Sequence, residues 1–323
     1  MQTSTKKYLN YGLKSVIALL LAWAIYWQVF ARENFDDLWF TFRSHFVMPG
    51  LLWLLATVLL APVNIALEAM KWRVLIRGFS KLRFWGTFQA ILAGTTIAIF
   101  TPNRVGEYGG RVLFVEEGQG WKAVIATMVG SLSQLLALLS VGLAGAVFFS
   151  VKFLGPEPYV LPVVLFMGAS FIGLLFFTYF NIDLVAVLAK RIPHIEKMRK
   201  PLRHLAVLKH YHRQDLGKAL GFAFLRYLTY STQYYLLLQF YGIHVPLPVG
   251  LAGISAIFLV QASVPLPPVM GLLARGEIAL FVWGFFTANQ ANILSATFSL
   301  FVINIAVPAF LGLACIARVN IFK

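Results

Sequence analysis

Two stretches of this sequence place a cation and a carboxylate just beyond a break in an apolar run. In the first, Thr101-Pro102-Asn103-Arg104-Val105-Gly106-Glu107 follows the apolar residues 88–100, and Arg111 stands four positions beyond Glu107. Proline removes a backbone donor and breaks the helix, freeing neighbouring N–H groups. Arg104 and Arg111 carry rigid guanidinium forks that match phosphate oxygens, and Asn103 adds a neutral donor. The chemistry implied is the holding of an anion, with Pro102 and Gly106 shaping the turn and Glu107 gating the site or pairing its arginines. The competing reading is an internal Glu107–Arg111 pair at i, i+4 that only neutralises the segment.

The second stretch runs Pro265-Leu266-Pro267-Pro268-Val269-Met270-Gly271 and is followed by Arg275-Gly276-Glu277. It repeats the first pattern, with Pro267, Pro268 and Gly271 as the break, Arg275 as an anion ligand and Glu277 as its charge partner. A further cation, Arg226, lies about ten residues into the apolar segment 216–241, with Tyr227, Tyr230, Gln233 and Tyr234 over the next two turns. Arg226 is expected to face a cavity near mid-depth, against snorkelling as the alternative.

Signatures of catalysis are weak. His210, His212 and Asp215 have metal-like spacing but fall in a basic segment that reads as a solvated face. There is no phosphate-binding glycine loop, no serine nucleophile elbow and no HExxH helix. A single cysteine, Cys315, excludes a disulfide framework within the chain. No cofactor, no metal and no enzymatic activity are expected.

The elements that position these residues follow from composition. Of 323 residues 59% are hydrophobic and 12% charged, against about 45–50% and 25% in soluble domains. Mean hydropathy is +0.78. This is an integral membrane protein, and a headgroup is the natural source of the anion. The net charge of +15 is clustered: five basic residues fall between Lys71 and Arg83, and eight between Lys190 and Arg213. That is the pattern of cytoplasmic loops, so nucleic acid is not expected as a partner.

At about 20 apolar residues per crossing, spans are expected near 9–30, 48–70, 121–149, 158–180, 216–241 and 291–317. The first reads as a retained signal anchor. Segments 84–115 and 246–288 are cut by Pro and Gly. Keeping every basic cluster on one side requires each to return to the face it entered from, as a re-entrant hairpin, or to split into two full crossings; that second, eight-crossing variant stays open. The expected fold is an all-α polytopic membrane protein with six full spans and two opposed re-entrant hairpins. Residues 1–150 form a first repeat and 151–323 its inverted-topology counterpart, with a basic cytoplasmic segment at 181–215. Both termini are then cytoplasmic.

Lys71-Trp72-Arg73-Val74-Leu75-Ile76-Arg77, followed by Gly94 and then by Thr101 through Glu107 and Arg111, resembles the lysylphosphatidylglycerol synthase transmembrane-region family. Pro267 through Glu277 is similar to a second hairpin of that family, with Pro268 and Val269 where glycines are usual and Gly276 separating Arg275 from Glu277. The resemblance implies a flippase-like protein of a bacterial-type inner membrane that moves an anionic lipid or lipid-linked headgroup. The alternative is a lipid-presenting subunit or membrane-embedded transferase working with a separately encoded enzyme. The chain ends soon after its last span, which leaves no expected place for a soluble transferase domain.

Overall fold

The computed structural model describes residues 35–99, 101, 104–184, 205–263 and 271–319, together with Gly12, Ser15, Val16, Leu19, Leu20 and Trp23. Most of the expected first span, residues Pro102, Asn103, Pro267 and Pro268, and most of segment 181–204 therefore lie outside the described residues. Within them every regular element is helical. We number the α-helices α1 (Phe35–Ser44), α2 (Gly50–Ile76), α3 (Phe84–Ala98), α4 (Gly106–Val112), α5 (Gly120–Phe153), α6 (Val160–Phe180), α7 (Arg213–Phe240), α8 (Leu247–Ala262), α9 (Gly271–Trp283), α10 (Gln290–Phe301) and α11 (Val307–Arg318). A π-helical turn, Val302–Ala306, joins α10 to α11.

Four helical stretches are long and apolar enough to cross a membrane: Gly50–Ile76, Gly120–Phe153, Val160–Phe180 and Gln290–Arg318. Helix α7 has 28 residues and is long enough for a crossing, but Arg213, Asp215, Lys218 and Arg226 set it apart in composition. α3, α4, α8 and α9 have 15, 7, 16 and 13 residues. Each is shorter than the roughly 20 residues that a crossing needs.

These short helices form two antiparallel pairs. Glycine makes the first possible: a Cβ on Gly110 would lie 2.5 Å from the Gly94 Cα, and one on Gly106 would lie 2.5 Å from the Ile97 carbonyl oxygen. The backbones of α3 and α4 thus touch where any side chain would clash. In the second pair Gly253 of α8 packs on the Trp283 ring of α9. α11 closes on α3 in the same way, Gly312 against the Leu92 carbonyl, and Thr96 donates to the Ala309 carbonyl at 2.8 Å.

The ends of the bundle can be read from contacts. Arg77, just after α2, pairs with Asp215 at the start of α7, and the Tyr179 hydroxyl donates to the Leu216 carbonyl at 2.9 Å. Lys122 Nζ sits 6.0 Å over the Phe79 ring. The Arg77–Arg83 and 205–213 segments therefore share one end with both termini of the α3–α4 pair. At the other end Phe42 packs on Phe240 and Phe153 on Phe285 and Phe286, beside both termini of the α8–α9 pair. The apolar core forms two large clusters. Leu216, Ala219 and Leu220 of α7 enter one, and Tyr227, Tyr234, Leu237, Leu238 and Phe240 enter the other. Arg226 falls between them.

Candidate functional site

A chain of polar side chains crosses the bundle at this junction. Glu68, on α2, receives three cations: Lys71 at 2.7 Å, Arg111 at 2.9 Å and Arg226 at 3.1 Å. Arg111 reaches on to Glu107 at 2.6 Å, and Glu107 holds Arg104 at 2.5 Å. From Arg226 the chain continues the other way, Nε donating to Asn64 Oδ1 at 2.9 Å and Asn64 donating to Asn304 Oδ1 at 2.8 Å. Gln134 on α5 accepts from Arg226 at 3.3 Å and from Lys71 at 3.4 Å. Charge at this depth is costly unless each group is paired and hydrogen-bonded. Here α2, α4, α5, α7 and the π turn each supply a member, so the network fixes how these elements sit together.

Beside the network lies a cavity of about 290 Å³ lined by Asn64, Arg104, Gln134, Leu138, Arg226, Tyr227, Tyr230, Phe258, Gln261, Ala262, Arg275, Asn304 and Ile305. Three of the arginines singled out in the sequence, Arg104, Arg226 and Arg275, converge here from three separate segments. Among the described residues the lining contains amides and two phenols, of Tyr227 and Tyr230, as further hydrogen-bonding groups and no carboxylate. Arg104 has φ +59°, the left-handed region, which a residue with a Cβ rarely adopts and which costs on the order of 1–3 kcal/mol. Its neighbours Glu107 and Thr101, whose hydroxyl accepts from the Gly106 N–H at 2.7 Å, hold it there. The π turn has a similar role, since an extra residue in the helix turns Asn304 and Ile305 into the lining.

Other expectations are placed differently. Arg111 is 3% exposed, its guanidinium lies 5.7 Å over the Trp72 ring, and it does not line the cavity. It is a counter-ion to Glu68 and Glu107 behind the site. Glu277 is exposed and makes no ion pair among the described residues, so the second pair of short helices does not reproduce the charge pairing of the first. Two positions along an α-helix is a turn of about 200°, which keeps Glu277 off the face that Arg275 presents. Of the polar stripe after Arg226, Tyr227 and Tyr230 reach the cavity. Gln233 instead donates to the Thr57 carbonyl at 3.0 Å, and Tyr234 is paired with Thr297 at 2.8 Å.

Sequence reasoning placed Lys71 in a loop cluster, whereas it is 1% exposed inside the bundle. Ending the span at 70 hid this; α2 runs to Ile76. It also passed over Glu68, whose signal is a lone carboxylate 18 residues into α2 with a lysine at i+3. Asn64, Gln134, Gln261 and Asn304 carry no comparable signal.

The motif residues Trp72, Gly94, Gly106, Glu107 and Arg111 now stand together around one buried ion network. A family profile described as "Lysylphosphatidylglycerol synthase TM region" matches residues 13–312. The chain belongs to this family. Membership of the lysylphosphatidylglycerol synthase transmembrane-region family makes it an integral membrane protein associated with lipid modification or transport. Among the curated proteins no match is found. For a member of this family the buried charges acquire a context: they surround a cavity in a protein whose solvent is lipid.

A groove on the far side of Tyr227 adds to the site. It has a volume of about 290 Å³ and is lined by Val141, Phe224, Leu225, Tyr227, Leu228, Ser231, Leu251 and Ser255. Tyr227 belongs to both linings, and its hydroxyl donates to Ser255 Oγ at 2.9 Å. A third cavity of about 300 Å³, between α1, α2 and α10, is walled by Leu38, Trp39, Phe42, Leu54, Val58 and Phe298 with Tyr241 and two serines, and holds no cation.

Proposed function

We propose that this protein is a translocator of a bacterial-type inner membrane that moves an anionic lipid, or a lipid-linked headgroup, between leaflets. The observation that carries this reading is the convergence of Arg104, Arg226 and Arg275 on one cavity with no carboxylate among its described lining residues, and with an apolar groove one tyrosine away. The headgroup binds among the arginines as bidentate, charge-assisted partners, and an acyl chain lies in the groove past Tyr227.

In this reading α3–α4 and α8–α9 are re-entrant hairpins that enter from opposite faces and meet at the cavity, and the two halves of the chain are inverted repeats. Support comes from the helix lengths and from the ends of the two pairs lying at opposite ends of the bundle. The end holding Arg77, Lys122 and Asp215 is cytoplasmic by its basic excess, as are both termini. Arg111, Glu68 and Glu107 set the arginines in place, with Glu107 able to serve as a gate.

Reconstitution tests the proposal. Purified protein in liposomes containing fluorescent phosphatidylglycerol is expected to accelerate bleaching of the inner-leaflet probe by external dithionite, and Arg275→Gln to slow it about tenfold or more. Folded protein that gives no acceleration with any anionic lipid overturns translocation. Binding of the lipid without transport supports a presenting subunit for a separately encoded transferase instead.

A further inference from the structure

The charges around the cavity do not balance. Glu68 and Glu107 are the two carboxylates of the network, and Lys71, Arg104, Arg111 and Arg226 all pair with them. Arg275 lines the same cavity and has no carboxylate partner among the described residues. Among the described residues five cations thus face two anions, an excess of three positive charges. The sequence offers no correction nearby: residues 100, 102–103 and 264–270 contain no Asp or Glu, and Glu277 is exposed on another face of α9.

An excess of this size around a part-buried cavity, where Arg226 is 23% and Arg104 38% exposed, favours an anion that completes it. A phosphodiester headgroup supplies one negative charge and would leave two cations uncompensated. We infer that the cavity takes a headgroup carrying two or more negative charges on adjacent phosphates, a lipid diphosphate, with Arg104 and Arg226 on one phosphate and Arg275 on the other. The inference rests on the reading of this cavity as a headgroup site and narrows its ligand class.

The arrangement suits such a ligand. Arg104 and Arg226 are already oriented by Glu107, Glu68 and Asn64, so their remaining N–H groups point at a fixed place. Arg275 comes from α9, on the opposite short-helix pair, and has no anion to satisfy it among the described residues. Neutral donors complete the lining: Gln261 and Asn304 can donate to phosphate oxygens without adding charge. The groove beyond Tyr227 gives the apolar part of the molecule a place, which separates a lipid diphosphate from free inorganic diphosphate.

The test is equilibrium binding to the full-length protein in detergent, followed by tryptophan fluorescence. Four probes are used: farnesyl diphosphate, farnesyl monophosphate, inorganic diphosphate and dioleoyl phosphatidylglycerol. Farnesyl diphosphate is expected to bind about tenfold or more tightly than farnesyl monophosphate, and inorganic diphosphate more weakly than either. Arg275→Gln should bring the diphosphate-to-monophosphate ratio near unity while monophosphate binding persists; Arg275→Lys, which keeps the charge, should retain part of the preference. Should Arg275→Gln fail to fold, the wild-type ratio and the lysine variant decide.

Equal affinity for the two farnesyl phosphates overturns the diphosphate assignment and leaves the headgroup reading standing. Inorganic diphosphate binding as tightly as farnesyl diphosphate overturns the lipid source. Absence of binding by all four probes overturns the headgroup reading itself.

Discussion

Glu68 and Arg111 are 43 residues apart in sequence and meet at 2.9 Å in the interior, both nearly inaccessible. The contact ties α2 to α4, and through Glu107 at 2.6 Å it fixes the start of α4 beneath Arg104. Arg111 therefore acts on the cavity indirectly, by holding the residues that hold Arg104.

Arg111→Ala should for this reason be a folding mutation. Removing one member of a buried ion network leaves the others uncompensated, at a cost of about 3–5 kcal/mol. Arg111→Lys recovers only part, because an ammonium cannot present a planar fork to two carboxylates at once. Thermal midpoints from size-exclusion profiles in detergent measure both. Glu277→Gln, on an exposed face, should stay within about 0.5 kcal/mol of wild type. An Arg111→Ala protein as stable as wild type would show that the pairing is dispensable.

The glycines of α4 give a sharper geometric test. Gly110→Ala puts a methyl 2.5 Å from the Gly94 Cα, with backbone on that side and no flexible side chain to yield. The α3–α4 pair must open, at about 1–3 kcal/mol. Gly109, one residue away, has nothing within 4 Å of its Cβ position, so Gly109→Ala should be neutral or slightly stabilising through helix propensity. Equal melting of the two variants would mean the helices are not in backbone contact.

Topology can be checked with little engineering because Cys315 is the single cysteine. In a Cys315→Ser background, Lys81→Cys and Lys209→Cys should react with a membrane-impermeant maleimide only after the cells are opened, and Gly155→Cys in intact cells. Labelling of Lys81 and Lys209 from opposite faces would contradict the end of the bundle that Arg77 and Asp215 share.

How far these features were legible in the sequence differs by residue. A single proline such as Pro62 sits inside α2, whereas the clusters of Pro and Gly at 102–110 and 265–276 cut their apolar runs, so both helix pairs were readable. The 104–107–111 spacing was readable too, since i+3 and i+4 neighbours share a helix face. Glu68 and Lys71 were not, because a charge pair near the end of an apolar run looks the same whether it meets headgroups or a buried arginine from 40 residues away. Arg275 and Glu277 imitate Arg104 and Glu107 in order but not in angle. Only the direction of α9 separates the cation in the cavity from the carboxylate outside it. The amides at 64, 134, 261 and 304 are single polar residues in apolar segments, and their convergence is a property of packing alone.

Glu107 is the carboxylate that pairs with Arg104 of the cavity lining, 14% exposed and held between Arg104 and Arg111. Glu107→Gln keeps an oxygen that can accept from either arginine, so the variant should fold, at a cost of about 1–3 kcal/mol for the weaker hydrogen bonds. It also removes one of two negative charges facing five cations. The cavity becomes more positive, and at the short distances involved an anionic headgroup should bind several-fold more tightly and leave more slowly. Turnover in liposomes is then expected to fall although affinity rises, which a purely structural partner would not produce. If protonation of Glu107 is the step that releases Arg104, the same variant is locked in the protonated-like state, and transport should no longer respond to a pH gradient. Dithionite assays with and without an imposed gradient, run beside binding titrations, separate the cases. A folded Glu107→Gln protein that keeps full gradient dependence and unchanged affinity confines Glu107 to scaffolding.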